Sequence, residues 1–408
     1  MINCDKLLAP RVGADLGRCP CRYAGSGGDR HAASRQSTLL QHEDALRHRR
    51  YITLDDFASL RVARENPESL FQGNDQVTID EAQKAPELLQ VVKRVVDQRR
   101  KNGRIILSGS ANFELLKNVS ESLAGRAVYF TLYPFTRREI LGRVEETPFL
   151  MRFFDTLKLS AVDAKPVRGA EVLAGGMPPV AGLRKPEIWF KGYEQTYIDR
   201  DVRQLAQVAD LLAYRNLMQL VALRGGQLLN ASELARDTKL TVATASRYLN
   251  LLETSFILRR LPPFINNRSS RLIKSPKIYV ADSGLACYLT GVENLDAPAS
   301  EHLRRALYET YVAQNLAAIL EAHWPSAKLM FWNVQGRYEV DFVIENKRRI
   351  FAIEMKAASR WSDADLAGLL AFLERTPNCE AAILAYNGTQ AVKLRDKLWA
   401  IPLGLLLS

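Results

Sequence analysis

Short apolar runs alternate with amphipathic stretches over the first third of the chain. Tyr51-Ile52-Thr53-Leu54 and residues 76–80, 104–112 and 127–135 are β-like runs. Helical stretches are expected over 37–50 and near 56–65, 86–99 and 113–123. Strands alternating with helices predict a mostly parallel, doubly wound α/β sheet.

Beyond about residue 139 the pattern becomes helical, broken by GGMPPV at 175–180 and resumed by the amphipathic WFKGYEQTYIDRDVRQLAQV. Residues 230–258 read as helix, short turn, second helix and strand, and RRLPPFINNRSSRLIKSPKIYVAD can supply a β-wing, so a winged helix is expected. From about 297 a helix, HLRRALYETYVAQNLAAILEAH, precedes three strand-like runs, KLMFWNV, YEVDFVIE and RIFAIEMKAA. A helix at 363–374, the strand AAILAYN and a buried last strand in LWAIPLGLLLS complete a small α/β domain. The expected organisation is therefore an aberrant, disordered tail over 1–36, an α/β domain over 37–140, a helical linker or lid over 141–225, a winged helix over 226–296 and the small α/β domain over 297–408.

Composition narrows the classes. The 408 residues are 47% hydrophobic and 25% charged, ordinary for a globular protein of several domains. No apolar run approaches the roughly 18 to 20 residues of a membrane span, and the N-terminus has no long apolar signal region, so a cytoplasmic protein is expected. Five cysteines do not make a disulfide framework, and Cys19 and Cys21 lack a second ligand pair for a metal. The net charge of +11 permits nucleic-acid contact without demonstrating it.

The strand Val77-Thr78-Ile79 closes with Asp80 and Glu81, the acid pair with which a nucleotide-hydrolysing site holds Mg²⁺ and orients water. An apolar strand ending in two acids is equally common with solvated acids. The next strand, ending in Ser108-Gly109-Ser110-Ala111-Asn112, favours the site, because ligands of open α/β sheets gather at carboxyl strand ends. VTIDEAQKAPELL, RIILSGSANFELL and SESLAGRAVYFTLYPFTRREI occur in order and resemble the prokaryotic AAA+ (P-loop) ATPases that carry a winged-helix and a PD-(D/E)xK nuclease-like C-terminal region. The likeness runs from about Ser37 to the C-terminus. It implies ATP and Mg²⁺ as cofactors, Asp80 as the metal-coordinating acid and Glu81 as the residue polarising water. It also implies Ser110 or Asn112 as the γ-phosphate sensor, Ser37 and Thr38 beside the nucleotide, and Arg126 as a candidate arginine finger across a homo-oligomer; an ordinary surface arginine fits Arg126 equally.

The phosphate-binding half departs from that family. No GxxxxGK occurs; Arg35-Gln36-Ser37-Thr38-Leu39-Leu40 stands in its place, with Gln36 where the lysine belongs. A glutamine brings no charge to the phosphates, and non-glycine residues restrict the amide nest that cradles them. The change of character at Ser37 reads as a displaced frame or start, with the sheet's first strand lost and nucleotide binding impaired.

Two further constellations carry chemistry. In the helix-turn-helix, Arg247 on the second helix and Arg259, Arg260, Arg271, Lys274 and Lys277 of the wing are candidates for DNA. A structural winged helix that serves protein contacts stands beside duplex binding without sequence reading. In YEVDFVIENKRRIFAIEMKAA, Asp341, Glu354 and Lys356 have the D…ExK spacing of PD-(D/E)xK nucleases, with Glu309 matching an extra acid and Asp341 and Glu354 as metal ligands. The reading is an AAA+-type ATPase relative acting with DNA. Its alternatives are a non-hydrolysing DNA- or protein-binding scaffold and an Mg²⁺-dependent nuclease that needs no ATP.

Overall fold

The computed structural model describes residues 6–9, 35–43, 46, 48–99, 101–109, 123–159, 164–183, 185–197, 208, 210–265, 274–334 and 337–408. The chain divides into two compact units, one of residues 1–133, 193–207 and 254–256, the other of 134–192, 208–253 and 257–408.

The first unit holds a five-stranded sheet in the order β2-β3-β4-β1-β5. Its strands are β1 (Lys6–Ala9), β2 (Arg50–Thr53), β3 (Val77–Asp80), β4 (Ile105–Gly109) and β5 (Val128–Thr131). Strands β2, β3 and β4 are parallel, as alternation with helices requires. The helices are α1 (Arg35–His42), α2 (Phe57–Glu65) and α3 (Leu88–Gln98). Asp56 starts α2 by accepting the Ser59 N–H at 2.8 Å, which satisfies one of its orphan amides. The apolar face of α3, Leu88, Leu89, Val92 and Val96, is buried with Ile79, Ile105 and Leu107, and each such side chain contributes about 1.5–3 kcal/mol. Ile106 points to the other face and meets Leu40 and Leu46, so helices or turns cover both sides of the sheet. Buried Arg49 bonds the carbonyls of Gly103, Val77 and Arg104 and the Thr78 hydroxyl, stitching the amino ends of β3 and β4 together. Burial alone lowers its pKa to about 10.

The N-terminal stretch differs from the expectation of a tail without structure and of a sheet that has lost a strand. β1 lies between β4 and β5, antiparallel to both, with Lys6 opposite Gly109 and Leu8 opposite Leu107. The physical reason is that two strand edges need backbone partners, and the apolar segment Lys6-Leu7-Leu8-Ala9 supplies them. Its direction matters for function. β1 ends beside the amino ends of β3 and β4, opposite to Asp80, so it does not lead directly into a loop over that acid. The helix expected over 37–50 begins at Arg35 and stops at His42. The one expected near 113–123 lies outside the described residues except at Leu123.

The second unit contains helices α4 (Leu211–Leu223), α5 (Ala231–Asp237) and α6 (Val242–Thr254) and the antiparallel hairpin β6 (Leu258–Leu261) and β7 (Lys277–Val280). Asp210 and Asn230 cap α4 and α5 through the Ala213 and Glu233 amides. A six-stranded sheet follows in the order β12-β13-β11-β10-β9-β8, made of β8 (Lys328–Val334), β9 (Tyr338–Asn346), β10 (Arg349–Lys356), β11 (Cys379–Tyr386), β12 (Val392–Arg395) and β13 (Leu398–Pro402). Its first three strands are antiparallel, and β10, β11 and β13 are parallel. The 23-residue helix α7 (Glu301–His323) is buried around most of its circumference, and α8 (Ala367–Arg375) sends Leu369 and Phe372 into the core with Val340 and Ala352. The last residues, expected as strand throughout, turn helical at Leu403–Leu406 after β13. Among the described residues no helix is long and apolar enough to cross a membrane.

Candidate functional site

β3 delivers Asp80 to its carboxyl end, where the side chain is almost fully buried. Three hydroxyls converge on it. Ser37 Oγ donates to Asp80 Oδ2 at 2.8 Å, Tyr51 Oη donates to the same oxygen at 2.5 Å, and Ser108 Oγ donates to Oδ1 at 2.5 Å. α1, β2 and β4 therefore each contribute one neutral donor to a single carboxylate. Burial raises the Tyr51 phenol to about 12, and its hydrogen bond to Asp80 adds to the rise. Thr38 is the next residue of α1 and is half-buried.

Glu81 follows in the left-handed region at φ 58°, a conformation that costs a non-glycine residue of order 1 kcal/mol and recurs at functional sites. Its N–H donates to Asp80 Oδ1 at 3.1 Å, and its carboxylate accepts from Gln83 Nε2 at 2.5 Å. Burial, then the charges of Asp55 and Asp80, raise its pKa. Gln83 is pressed against β4: a Cβ on Gly109 would lie 2.1 Å from Gln83 Oε1, so a side chain there would displace the Gln83 amide. Ser110, Asn112 and Ala111 lie outside the described residues. Arg126 forms a two-point ion pair with Asp97 within its own unit, at 2.8 and 3.0 Å.

Tested against a magnesium nucleotide, this site fits on one side. A hydroxyl and a carboxylate at 2.8 Å are the oxygen donors a hard divalent ion takes beside phosphates. The phosphate side is not supplied by the sequence, which has Gln36 at the lysine's place and no glycine loop before it.

The second unit gathers the other acids. Asp341 and Glu354 meet where β9 and β10 run side by side: the Asp341 N–H donates to Glu354 Oε2 at 3.2 Å, and Asp341 Oδ2 accepts the Met355 N–H at 3.0 Å. Glu309 arrives from α7 and accepts from Tyr279 Oη at 2.5 Å. Lys356 ends β10, still in register with Tyr386 of β11, and its ammonium bonds Asp365 in the turn before α8. The centre holds two cations instead. Lys277 Nζ lies 3.1 Å from Glu309 Oε1 and 3.2 Å from Asp341 Oδ1, and it also bonds Glu339. Arg305 reaches Asp341 at 3.4 Å and Glu354 at 3.5 Å. Lys277 is thus a buried counter-ion and not a wing contact for DNA; its pKa, which burial would lower, is raised by Asp341, Glu309 and Glu339. Burial and Asp341 push Glu309 up to about 7 and Glu354 well above its ordinary value.

Of the candidates for DNA, Arg247 is exposed on α6 with its guanidinium 5.4 Å from the Tyr248 ring centre, and Lys274 is exposed. Arg260 is engaged by Asn250 at 2.8 Å and Glu253 at 3.3 Å, which removes most of its capacity for phosphate. Arg259 is half-buried, and Arg271 lies outside the described residues. The sequence placed Ser108 and Gly109 beside the first acid pair; the residues that sequence reasoning missed are Tyr51 and Gln83 around that pair, and Lys277, Arg305 and Glu339 around the second. Only Arg305 carried a local signal, four residues before Glu309 on one helix face.

The family described as an AAA domain matches residues 36–141, beginning at the compositional break. A domain of unknown function, DUF8612, matches residues 170–296, and another, DUF4143, matches residues 304–406. Uncharacterized proteins of Mycobacterium tuberculosis and Mycobacterium bovis are each 30% identical over 336 residues, covering 81% of this chain and 69% of theirs. An uncharacterized protein of Haemophilus influenzae is 26% identical over 197 residues, 47% of this chain and 46% of its own. No solved structure matches the chain.

Proposed function

This chain belongs to one family with the two mycobacterial proteins and carries an AAA domain, and from that premise we propose that it is an ATPase-type protein, acting with DNA, that has kept the metal half of its nucleotide site and lost the phosphate half. One observation carries the reading. The Ser37 hydroxyl bonds Asp80 at 2.8 Å, which supports Ser37 and Asp80 as the protein's ligands to a nucleotide-bound Mg²⁺, with Glu81 beside them as the acid that orients water. Directly before Ser37 stands Gln36, with no charge for the β- and γ-phosphates.

In phosphoryl transfer the protein mainly positions the triphosphate and neutralises it, and the loop amides and lysine do much of that work. Asp80 and Glu81 act on a metal that arrives with the nucleotide, so without the cradle they repel a bare triphosphate. Calorimetry of the whole chain with Mg·ATP should show no binding at micromolar concentrations, and turnover should equal that of Glu81→Gln. A micromolar Kd would overturn the proposal. For DNA, the exposed Arg247 and Lys274 support contact with phosphates; removing either should lower the salt slope of duplex binding by about one, without changing sequence preference.

A further inference from the structure

The D…ExK spacing of β9 and β10 asks for a divalent ion between Asp341 and Glu354, and the side chains around them do not fit one. Mg²⁺ requires about six oxygens at roughly 2.1 Å in octahedral array, and it shares its ligands poorly with other cations. Here Asp341 Oδ1 is already bonded by Lys277 at 3.2 Å and Arg305 at 3.4 Å. Its Oδ2 takes the Met355 N–H, and Glu354 Oε2 takes the Asp341 N–H. Glu309 Oε1 is shared between Lys277 and the Tyr279 hydroxyl. The lysine that such a centre uses at the reacting phosphate, Lys356, is held by Asp365.

The two cations differ in how firmly they are placed. Arg305 is 62% exposed and can swing into water, whereas the Lys277 side chain is 3% exposed. Lys277 is the first residue of β7, paired with Leu261 across the hairpin, and its backbone is further fixed by the bridge to Leu228. The turn before that bridge is shaped for the purpose. Gly226, at φ 76°, donates its N–H to the Ile278 carbonyl, and a Cβ there would lie 3.1 Å from Glu309 Oε1. The hairpin therefore inserts its ammonium among carboxylates carried by α7 and β9.

We propose that Lys277 is the resident counter-ion of this carboxylate centre, making it a metal-free ion-pair lock that fastens the hairpin to α7 and β9 in place of an Mg²⁺ nuclease site. The lock explains why four acids, Glu309, Glu339, Asp341 and Glu354, can sit together with three of them largely buried: a buried carboxylate is tolerated when a cation and hydrogen bonds meet it, and is costly alone.

The test uses the whole chain, with thermal unfolding in the presence and absence of Mn²⁺ and a plasmid-nicking assay with Mg²⁺ or Mn²⁺. The unmodified chain should show no nicking and no Mn²⁺-dependent rise in its midpoint that Asp341→Asn removes. Lys277→Gln should lower the midpoint by about 10 °C, since it strands buried acids. Mn²⁺ should recover part of that loss in Lys277→Gln, and none of it in Lys277→Gln/Asp341→Asn. The unmodified chain decides the matter even where Lys277→Gln does not fold: nicking, or a midpoint rise with Mn²⁺, that disappears in Asp341→Asn overturns the lock. A Lys277→Gln midpoint equal to that of the unmodified chain does so as well.

Discussion

Asp80 and Asp341 are both buried strand aspartates, and their partners are of opposite kinds. Asp80 is met by the neutral hydroxyls of Ser37, Tyr51 and Ser108, and none of the described residues forms an ion pair with it. Asp341 is met by an ammonium and a guanidinium. Neutral donors orient a carboxylate and leave its charge in place, so Asp80 still has an attraction for a cation to satisfy. Internal cations offset the charge of Asp341, so little of that attraction is left. The first arrangement stays open to a metal that comes with a ligand; the second is closed. Two acid motifs that look alike as letters thus differ by what their neighbours carry.

The sharpest way to probe the open centre is to give it back its missing half. Replacing residues 1–36 with a parallel strand and an intact GxxxxGK loop, joined to Ser37, should move ATP binding from undetectable to micromolar. That is a change of at least about 4 kcal/mol relative to millimolar affinity. Gln36→Lys alone should not do it, because Arg35 and the absent glycines still deny the backbone its path, and β1 runs the wrong way to feed such a loop. In the repaired chain Glu81→Gln should cut turnover by about 10²- to 10⁴-fold while leaving ATP affinity nearly unchanged. Equal turnover would remove Glu81 from the role assigned to it.

A smaller effect compares the two centres directly. Asp341→Ala takes one member from a buried ionic set and strands Lys277 and the Met355 N–H, at a cost of about 3–5 kcal/mol. Asp80→Ala leaves three hydroxyls that can turn to other acceptors and the Glu81 N–H, and it removes a carboxylate that no cation meets, so it should cost about 1–2 kcal/mol. Hydrogen exchange read separately over β9–β10 and β3–β4 gives each value in its own unit. The reverse ranking would show that the hydroxyl ring, and not the ion set, is the tighter of the two.

What the sequence disclosed follows from how local each signal is. Period and punctuation sufficed for α3, which buries Leu88, Leu89, Val91, Val92 and Val96, and for β3 and β4, which open on apolar residues and are buried throughout. The acids Asp80, Asp341 and Glu354 were legible because strand ends and alternation place them without knowledge of the rest. Their partners were legible only in part. Neighbouring strand ends put Ser108 beside Asp80 and the family resemblance put Ser37 at the nucleotide, but Tyr51 lies 29 residues from Asp80 and Lys277 lies 64 from Asp341, distances over which no periodicity speaks. Lys277 was counted with the wing's other basic residues, since a lysine beside arginines reads as a solvated stripe until the hairpin is folded against α7. Alternation puts Lys356 on the face of Glu354, and it keeps its register with Tyr386 at the end of β10; its bond to Asp365, nine residues on, is a contact alternation does not name.

The smallest predicted effect is one of pH. Glu309 is faced by Lys277 and Tyr279 from β7, by Arg305 from its own helix, by Asp341 and Glu339 from β9 and by Glu354 from β10. Burial first, and Asp341 second, raise its pKa from 4.5 to about 7, against the opposing pull of Lys277. The folded chain therefore keeps this proton to higher pH than the unfolded chain does. Below about pH 4.5 both states hold it, and the stability associated with the group is fully present. Between about 4.5 and 7 the unfolded state releases its proton first, so stability falls as pH rises, and above about 7 the loss is complete. Glu309→Gln keeps an oxygen for Tyr279 and cannot titrate. Its urea midpoint, followed by exchange over α7, should consequently decline less between about pH 5 and pH 7.5 than that of the unmodified chain, by about 1–3 kcal/mol. Asp282, pushed up to about 6 by burial, tilts the curve in the same direction in both proteins and cancels in the difference, whereas Glu354, whose rise Glu309 shares in causing, is lowered by the same substitution and adds to it. Parallel curves would mean that the shared proton resides on Glu354 and that Lys277 holds Glu309 ionised throughout.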